Sequence, residues 1–150
     1  MAEKINGISV VFSVLVDNES VLLLRRRDTG YMDGFYDFPS GHLKSPNEPL
    51  PEAATRELRE ESGITAYSEN LELFYMYQNT NPEGQLYFGY MYNVAKWSGK
   101  PRIMEPHKCD DIGFFDLKNP PKVTKQVKDA LGYLTAEKMV YRYFQQGVLN

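Results

Sequence analysis

Apolar alternation and a richness in β-branched residues predict strands over 7–16 and 21–26, joined by the polar turn Asp17-Asn18-Glu19-Ser20. Residues 28–34 read as a loop with two glycines, and 36–39 as a short extended piece. A helix is expected over 50–62, with Pro51 tolerated in its first turn and Gly63 as its left-handed stop. Its apolar face is narrow, limited to Ala53, Ala54 and Leu58, so the helix depends on neighbouring sheets. Two aromatic strands follow over 70–78 and 85–97, linked by the hairpin-type segment 79–84. A further strand is expected over 113–117. Residues 123–139 read as an amphipathic helix with Val127, Ala130, Leu131 and Leu134 near one face. No linker or repeat interrupts the pattern, so residues 1–150 are expected to form a single α/β domain.

The predicted helix over 50–62 carries the most informative stretch, Arg56-Glu57-Leu58-Arg59-Glu60-Glu61-Ser62-Gly63-Ile64. Glu60 and Glu61 lie three and four residues beyond Glu57, so three carboxylates share one face. Like charges at that spacing cost an isolated helix roughly 0.2–0.5 kcal/mol per pair. A hard divalent cation relieves the repulsion, and carboxylate-rich oxygen sites suit Mg²⁺ or Mn²⁺. The competing explanation is a solvated helix face on which Arg56 and Arg59 partner the glutamates.

Upstream stand Phe38-Pro39-Ser40-Gly41-His42-Leu43 and then Glu48, which seven residues separate from Arg56. Together, Gly41, Glu48 and the run 56–64 resemble the Nudix box, the loop-helix-loop signature of a large family of pyrophosphohydrolases. All the fixed residue types of that signature are present between positions 41 and 64. One departure stands out: six residues, His42 to Asn47, separate Gly41 from Glu48, one more than the family pattern has.

The resemblance implies the family's α/β/α sandwich around a central mixed β-sheet. It also implies Mg²⁺-dependent (or Mn²⁺-dependent) hydrolysis of a diphosphate linkage in a nucleoside di- or triphosphate, or a related nucleoside diphosphate-X compound. By position it makes Glu57, Glu60 and Glu61 metal ligands, with a backbone carbonyl at Gly41 as a further ligand and Glu57 and Glu60 central to catalysis. Arg56 would orient a glutamate through a bidentate ion pair, and Glu48 would brace the loop. The segment 104–111, Met-Glu-Pro-His-Lys-Cys-Asp-Asp, resembles a stretch found in a subset of small Nudix nucleotide hydrolases. It makes Glu105 the candidate general base ahead of His107, a position that is acidic in many of those relatives.

Net charge is −3 with no basic stripe, which argues against a nucleic-acid polymer as partner and leaves small nucleotides open. The single cysteine, Cys109, excludes an internal disulfide and suits a reducing cytoplasm. The first residues do not open like a signal peptide, and no segment is long enough to span a bilayer; a cytoplasmic monomer or homodimer is expected. His42 and His107 lack zinc-ligand spacing. Among Arg25, Arg26 and Arg27, which end a predicted strand, Arg26 faces opposite to its neighbours and is the candidate phosphate contact. Phe35, Tyr36, Tyr87, Phe88 and Tyr90 either stack a base or pack the sheet. Phosphate-loop, dinucleotide-binding, zinc-protease and serine-elbow motifs are all missing. The readings that remain are a nucleoside triphosphate pyrophosphatase of mutator type, an ADP-ribose or dinucleotide pyrophosphatase, and a non-catalytic nucleotide-sensing Nudix module.

Overall fold

The computed structural model describes residues 2–149. Strands and helices follow as β1 (Gly7–Val14), β2 (Val16–Asp17), β3 (Ser20–Arg26), β4 (Tyr36–Asp37), β5 (Ser40–His42) and α1 (Leu50–Ser62). They continue with β6 (Leu71–Thr80), β7 (Leu86–Val94), β8 (Cys109–Asp116), α2 (Lys125–Ala130), β9 (Val140–Gln145) and β10 (Val148–Leu149).

In β1, Val11 and Ser13 alternate with Phe12 and Val14, and all four are buried, so this strand is covered on both faces. It lies in a six-stranded mixed sheet of order β10-β9-β6-β7-β1-β5, parallel to β7 and antiparallel to β5. On one face Val11 and Tyr92 meet Ala53 and Ala54 of α1, whose small side chains allow close approach. The Ser13 hydroxyl donates to the Ala54 carbonyl there (3.1 Å). On the other face Phe12, Val14, Tyr75, Tyr77, Met91 and Phe144 pack with Val127 and Ala130 of α2 and with Val21 and Leu23 of β3. β3 belongs to a second sheet, between β8 and the short strands β2 and β4. Leu58 on α1 joins Leu15, Leu22 and Ile64 in a further buried cluster, seating the helix against this second sheet as well. The mixed sheet and its helices thus give the expected α/β class.

Helix α1 occupies the span expected for it. Pro49 is extended before the first turn, Pro51 is tolerated within it, and Gly63 closes the helix at φ 75°, its N–H donating to the Arg59 carbonyl (2.9 Å).

Three expectations are corrected. The strand over 7–16 breaks at Leu15, so one stretch of chain serves first the six-stranded sheet and then, as β2, the second sheet. The strand expected over 113–117 begins four residues earlier, at Cys109. The helix expected over 123–139 stops at Ala130 and continues only as one 3₁₀ turn, Leu131–Tyr133. Gly132 disfavours helix, and the 3₁₀ turn still brings Leu131 and Leu134 onto the core, because residues three apart eclipse in that geometry. The chain is thereby released to form β9, parallel to β6, and then β10. Among the described residues, no helix is long and apolar enough to cross a membrane.

Candidate active site

The box folds around a missing side chain. Gly41 pairs with Val11 in the β1–β5 ladder, and a Cβ built on it would overlap the carboxyl group of Glu57. Glycine is therefore required here by the carboxylate that lies over it. The additional residue of the loop is taken up after Gly41, in a turn where Glu48 N–H donates to the Ser45 carbonyl (3.2 Å) and Glu48 accepts from Lys44 N–H (2.8 Å).

Arg56 is the hub. Its Nε and Nη2 grip both oxygens of Glu48 (2.7 and 2.9 Å), and Nη2 also donates to the His42 carbonyl (3.0 Å). Its Nη1 reaches Glu57 (2.9 Å) and Glu60 (3.2 Å). Glu61 instead accepts from the Ser40 N–H (2.7 Å) at the start of the box loop. Helix and loop are thus laced together through acidic side chains. Glu60 is the outermost of the three, its side chain 49% exposed.

The electrostatics are unbalanced. Burial raises the Glu57 carboxyl above its ordinary value despite Arg56, and the charges of Glu60 and Glu105 add to the rise. Burial pushes Glu61 well above the usual range against the pull of the Ser40 N–H, with Glu57, Asp37 and Glu105 contributing. Among the described residues, no three His, Cys, Asp or Glu side chains already converge as a metal cage. The donor chemistry nevertheless fits a divalent cation: crowded, partly buried carboxylates with too little positive charge are what such an ion relieves.

Glu105 is part of this field. It lies on the segment leading into β8, and its charge acts on both Glu57 and Glu61. His107 and His42 are exposed, whereas Cys109 is buried with its thiol raised by burial. Of the aromatic candidates, Tyr36 is buried edge-on against Phe115 (4.9 Å), Phe88 lies beside Gly7, and Tyr90 packs in the α1 cluster.

Arg26 sits on the flank of the box. It is engaged on three sides, donating to the Tyr31 carbonyl (2.6 Å), Asp37 (3.3 Å) and the Thr29 hydroxyl (3.0 Å). Its guanidinium also stands 5.2 Å from the Tyr31 ring. Asp37, buried and pushed up to about 6 mainly by that burial, is close enough for its charge to act on Glu61. Sequence reasoning overlooked Tyr31 and Asp37. Tyr31 is 47% exposed and bonds Gln126 through its hydroxyl (3.3 Å), giving this flank a part-open aromatic face. The only available signal was a carboxylate set between two aromatics, Tyr36-Asp37-Phe38, at the entrance to the box.

Comparison with known proteins identifies the family. The NUDIX domain family matches residues 7–135. A MutT NUDIX hydrolase of Burkholderia pseudomallei superposes with a TM-score of 0.79 at 25% identity, over 87% of this chain and 99% of that one. A mutator MutT protein of Bacillus halodurans does so at 0.72 and 22% identity, over 92% and 89% of the two chains. The NUDIX domain of Shewanella oneidensis NrtR, solved with ADP ribose, is similar at 0.66 and 19% identity, over 82% and 83%. This chain belongs to the Nudix family. It is a pyrophosphohydrolase of the kind that acts on nucleoside diphosphate-linked compounds, and hydrolases of this family generally use divalent metal ions.

Proposed function

We propose that the protein is a Mg²⁺-dependent (or Mn²⁺-dependent) nucleoside triphosphate pyrophosphatase of mutator type, acting as a cytoplasmic monomer or homodimer. The observation that carries this reading is the crowding of Glu57, Glu60 and Glu61 against the Gly41 loop, where Arg56 meets Glu57 and Glu60 and Glu61 is held by the Ser40 N–H. The likeness to a whole MutT NUDIX hydrolase chain supports the substrate class.

Glu57, Glu60 and Glu61, with the carbonyl at Gly41, are the residues that would hold the ion. Bound there, a divalent cation supplies charge neutralisation at the phosphates and lowers the pKa of a bound water. The chain's own residues do the rest. Arg56 holds Glu57 and Glu60 in fixed orientation. Glu105 would serve as general base for the attacking water, and Arg26, with the exposed Tyr31 ring beside it, would meet a phosphate or base of the substrate.

An ADP-ribose or dinucleotide substrate is the second reading, favoured by the likeness to a domain solved with ADP ribose. The deciding experiment is Mg²⁺-supported turnover of a panel of dNTPs, oxidised dNTPs, ADP-ribose and dinucleotides. Preference for a triphosphate is expected; preference for ADP-ribose moves the assignment to the second reading. Tight binding without hydrolysis of any member would overturn both.

A further inference from the structure

Arg25 and Arg26, the last two residues of β3, and Arg27 directly after them divide their work. Arg26 points to the Tyr31 loop, while Arg25 and Arg27 hold the segment that carries Glu105. Arg27 donates its backbone N–H to the Lys108 carbonyl (2.8 Å) and its Nη1 to the Pro106 carbonyl (3.4 Å). Arg25 donates Nε to Asp110 (2.7 Å).

Asp110 has an unusual place. Arg25 pairs with Asp111 and Arg26 with Cys109, so Asp110 is the extra residue of a β-bulge. A bulge re-aims the chain beyond it, because one added residue reverses which face each preceding side chain shows. The chain beyond it is the turn in which Lys108 and Cys109 N–H groups both donate to the Glu105 carbonyl (2.9 and 3.0 Å). On the next residue, Asp111 accepts the Tyr36 hydroxyl, tying the same strand to β4 at the entrance to the box.

We infer that the Arg25–Asp110 pair across this bulge is a positioning device: it sets the direction of the Glu105 segment and thereby the placement of the Glu105 carboxylate. The inference rests on the reading of Glu105 as general base. The pair is a poor candidate for a stabilising element. Its side chains are 39% and 37% exposed, and ion pairs at such sites typically contribute about 0–1 kcal/mol. A small error in the placement of a reacting group, by contrast, can cost about a hundredfold in rate.

The test is a double-mutant cycle of Asp110→Ala with Glu105→Gln, read as kcat and KM on the panel member that the wild type turns over fastest. Asp110→Ala alone should lower kcat about tenfold or more with little change in KM or melting temperature. In the Glu105→Gln background the same substitution should change kcat less than about twofold, since a misplaced base cannot be lost twice. Equal losses in both backgrounds, or wild-type kcat for Asp110→Ala, overturn the positioning role while leaving Glu105 in place. Wild-type kcat for Glu105→Gln removes Glu105 from the mechanism, and the device with it. Should Asp110→Ala not fold, Arg25→Lys takes its place in the cycle: it keeps the charge but loses the planar fork, and the same outcomes decide.

Discussion

Two arginines organise opposite faces of the six-stranded sheet, and they differ in what they leave unbalanced. Arg142 on β9 grips one carboxylate, Asp129 of α2, through Nε (3.0 Å) and Nη2 (3.4 Å), and the Tyr75 hydroxyl donates to the same group (2.5 Å). Its guanidinium also stands 5.5 Å from the Tyr133 ring. One cation, one anion and a hydroxyl close the account, and α2 is fastened to β6 and β9. Arg56 faces Glu48, Glu57 and Glu60, with Glu61 and Glu105 beyond its reach. A satisfied network anchors a helix. One kept short of positive charge leaves the demand for a cation that the proposed function assigns to it.

The contrast can be broken at either end. Glu61→Gln should lose turnover by orders of magnitude while melting at or above the wild-type temperature, because it removes a carboxyl whose ionised form burial disfavours. Saturating Mg²⁺ should raise the melting temperature of the wild type, by about 2.7 kcal/mol of stability at a hundredfold excess over Kd, and do so far less in this variant. A variant that melts well below the wild type and still turns over substrate contradicts both parts.

Arg56→Ala should lose both properties together, with a large fall in kcat and about 2 kcal/mol of stability, since charge-assisted hydrogen bonds to half-buried carboxylates are broken. Kinetics and denaturant unfolding on the same preparation check it. Asp129→Asn should separate them, costing about 1–2 kcal/mol through the weakened Tyr75 and Arg142 bonds and leaving kcat within twofold of wild type. A matching fall in kcat would show that the two faces are coupled.

The smallest effect concerns acid. The Arg56 fork and the Lys44 N–H lower Glu48 from 4.5 to about 2. A carboxyl lowered in the folded state stabilises above its unfolded value, and that contribution fades as pH falls through the folded one. Wild-type stability should therefore drop between about pH 4.5 and 2 by more than that of Glu48→Gln, as unfolding at several pH values would reveal. Glu61 acts with the opposite sign: its raised value lets the folded protein hold a proton longer, so stability falls as pH rises above 4.5, and Glu61→Gln removes that slope.

What could be read from the chain was local. Helix α1 was legible because Pro51, the narrow Ala53-Ala54-Leu58 face and Gly63 all speak for the same limits. The box was legible because its residue types recur at fixed spacing. The end of the chain was misread because Leu131 and Leu134 satisfy a helical period that a 3₁₀ turn satisfies equally, and nothing local announced that Val140–Gln145 would lie parallel beside β6. Partnerships across the fold were also hidden. That Arg25 meets Asp110 depends on a bulge, and that Arg26 meets Asp37 depends on the pairing of β3 with β4; both are matters of register rather than of composition.

The break at Leu15 carries a consequence for how the protein comes apart. β1 and β2 are consecutive, with the fully buried Leu15 between them, and the Leu22 N–H donates to the Leu15 carbonyl (3.0 Å). Neither layer can melt without dragging on the other through this shared backbone. Solvent exchange of the deeply protected amides in both layers should therefore proceed through one common opening event, with equal opening free energies on either side of that leucine.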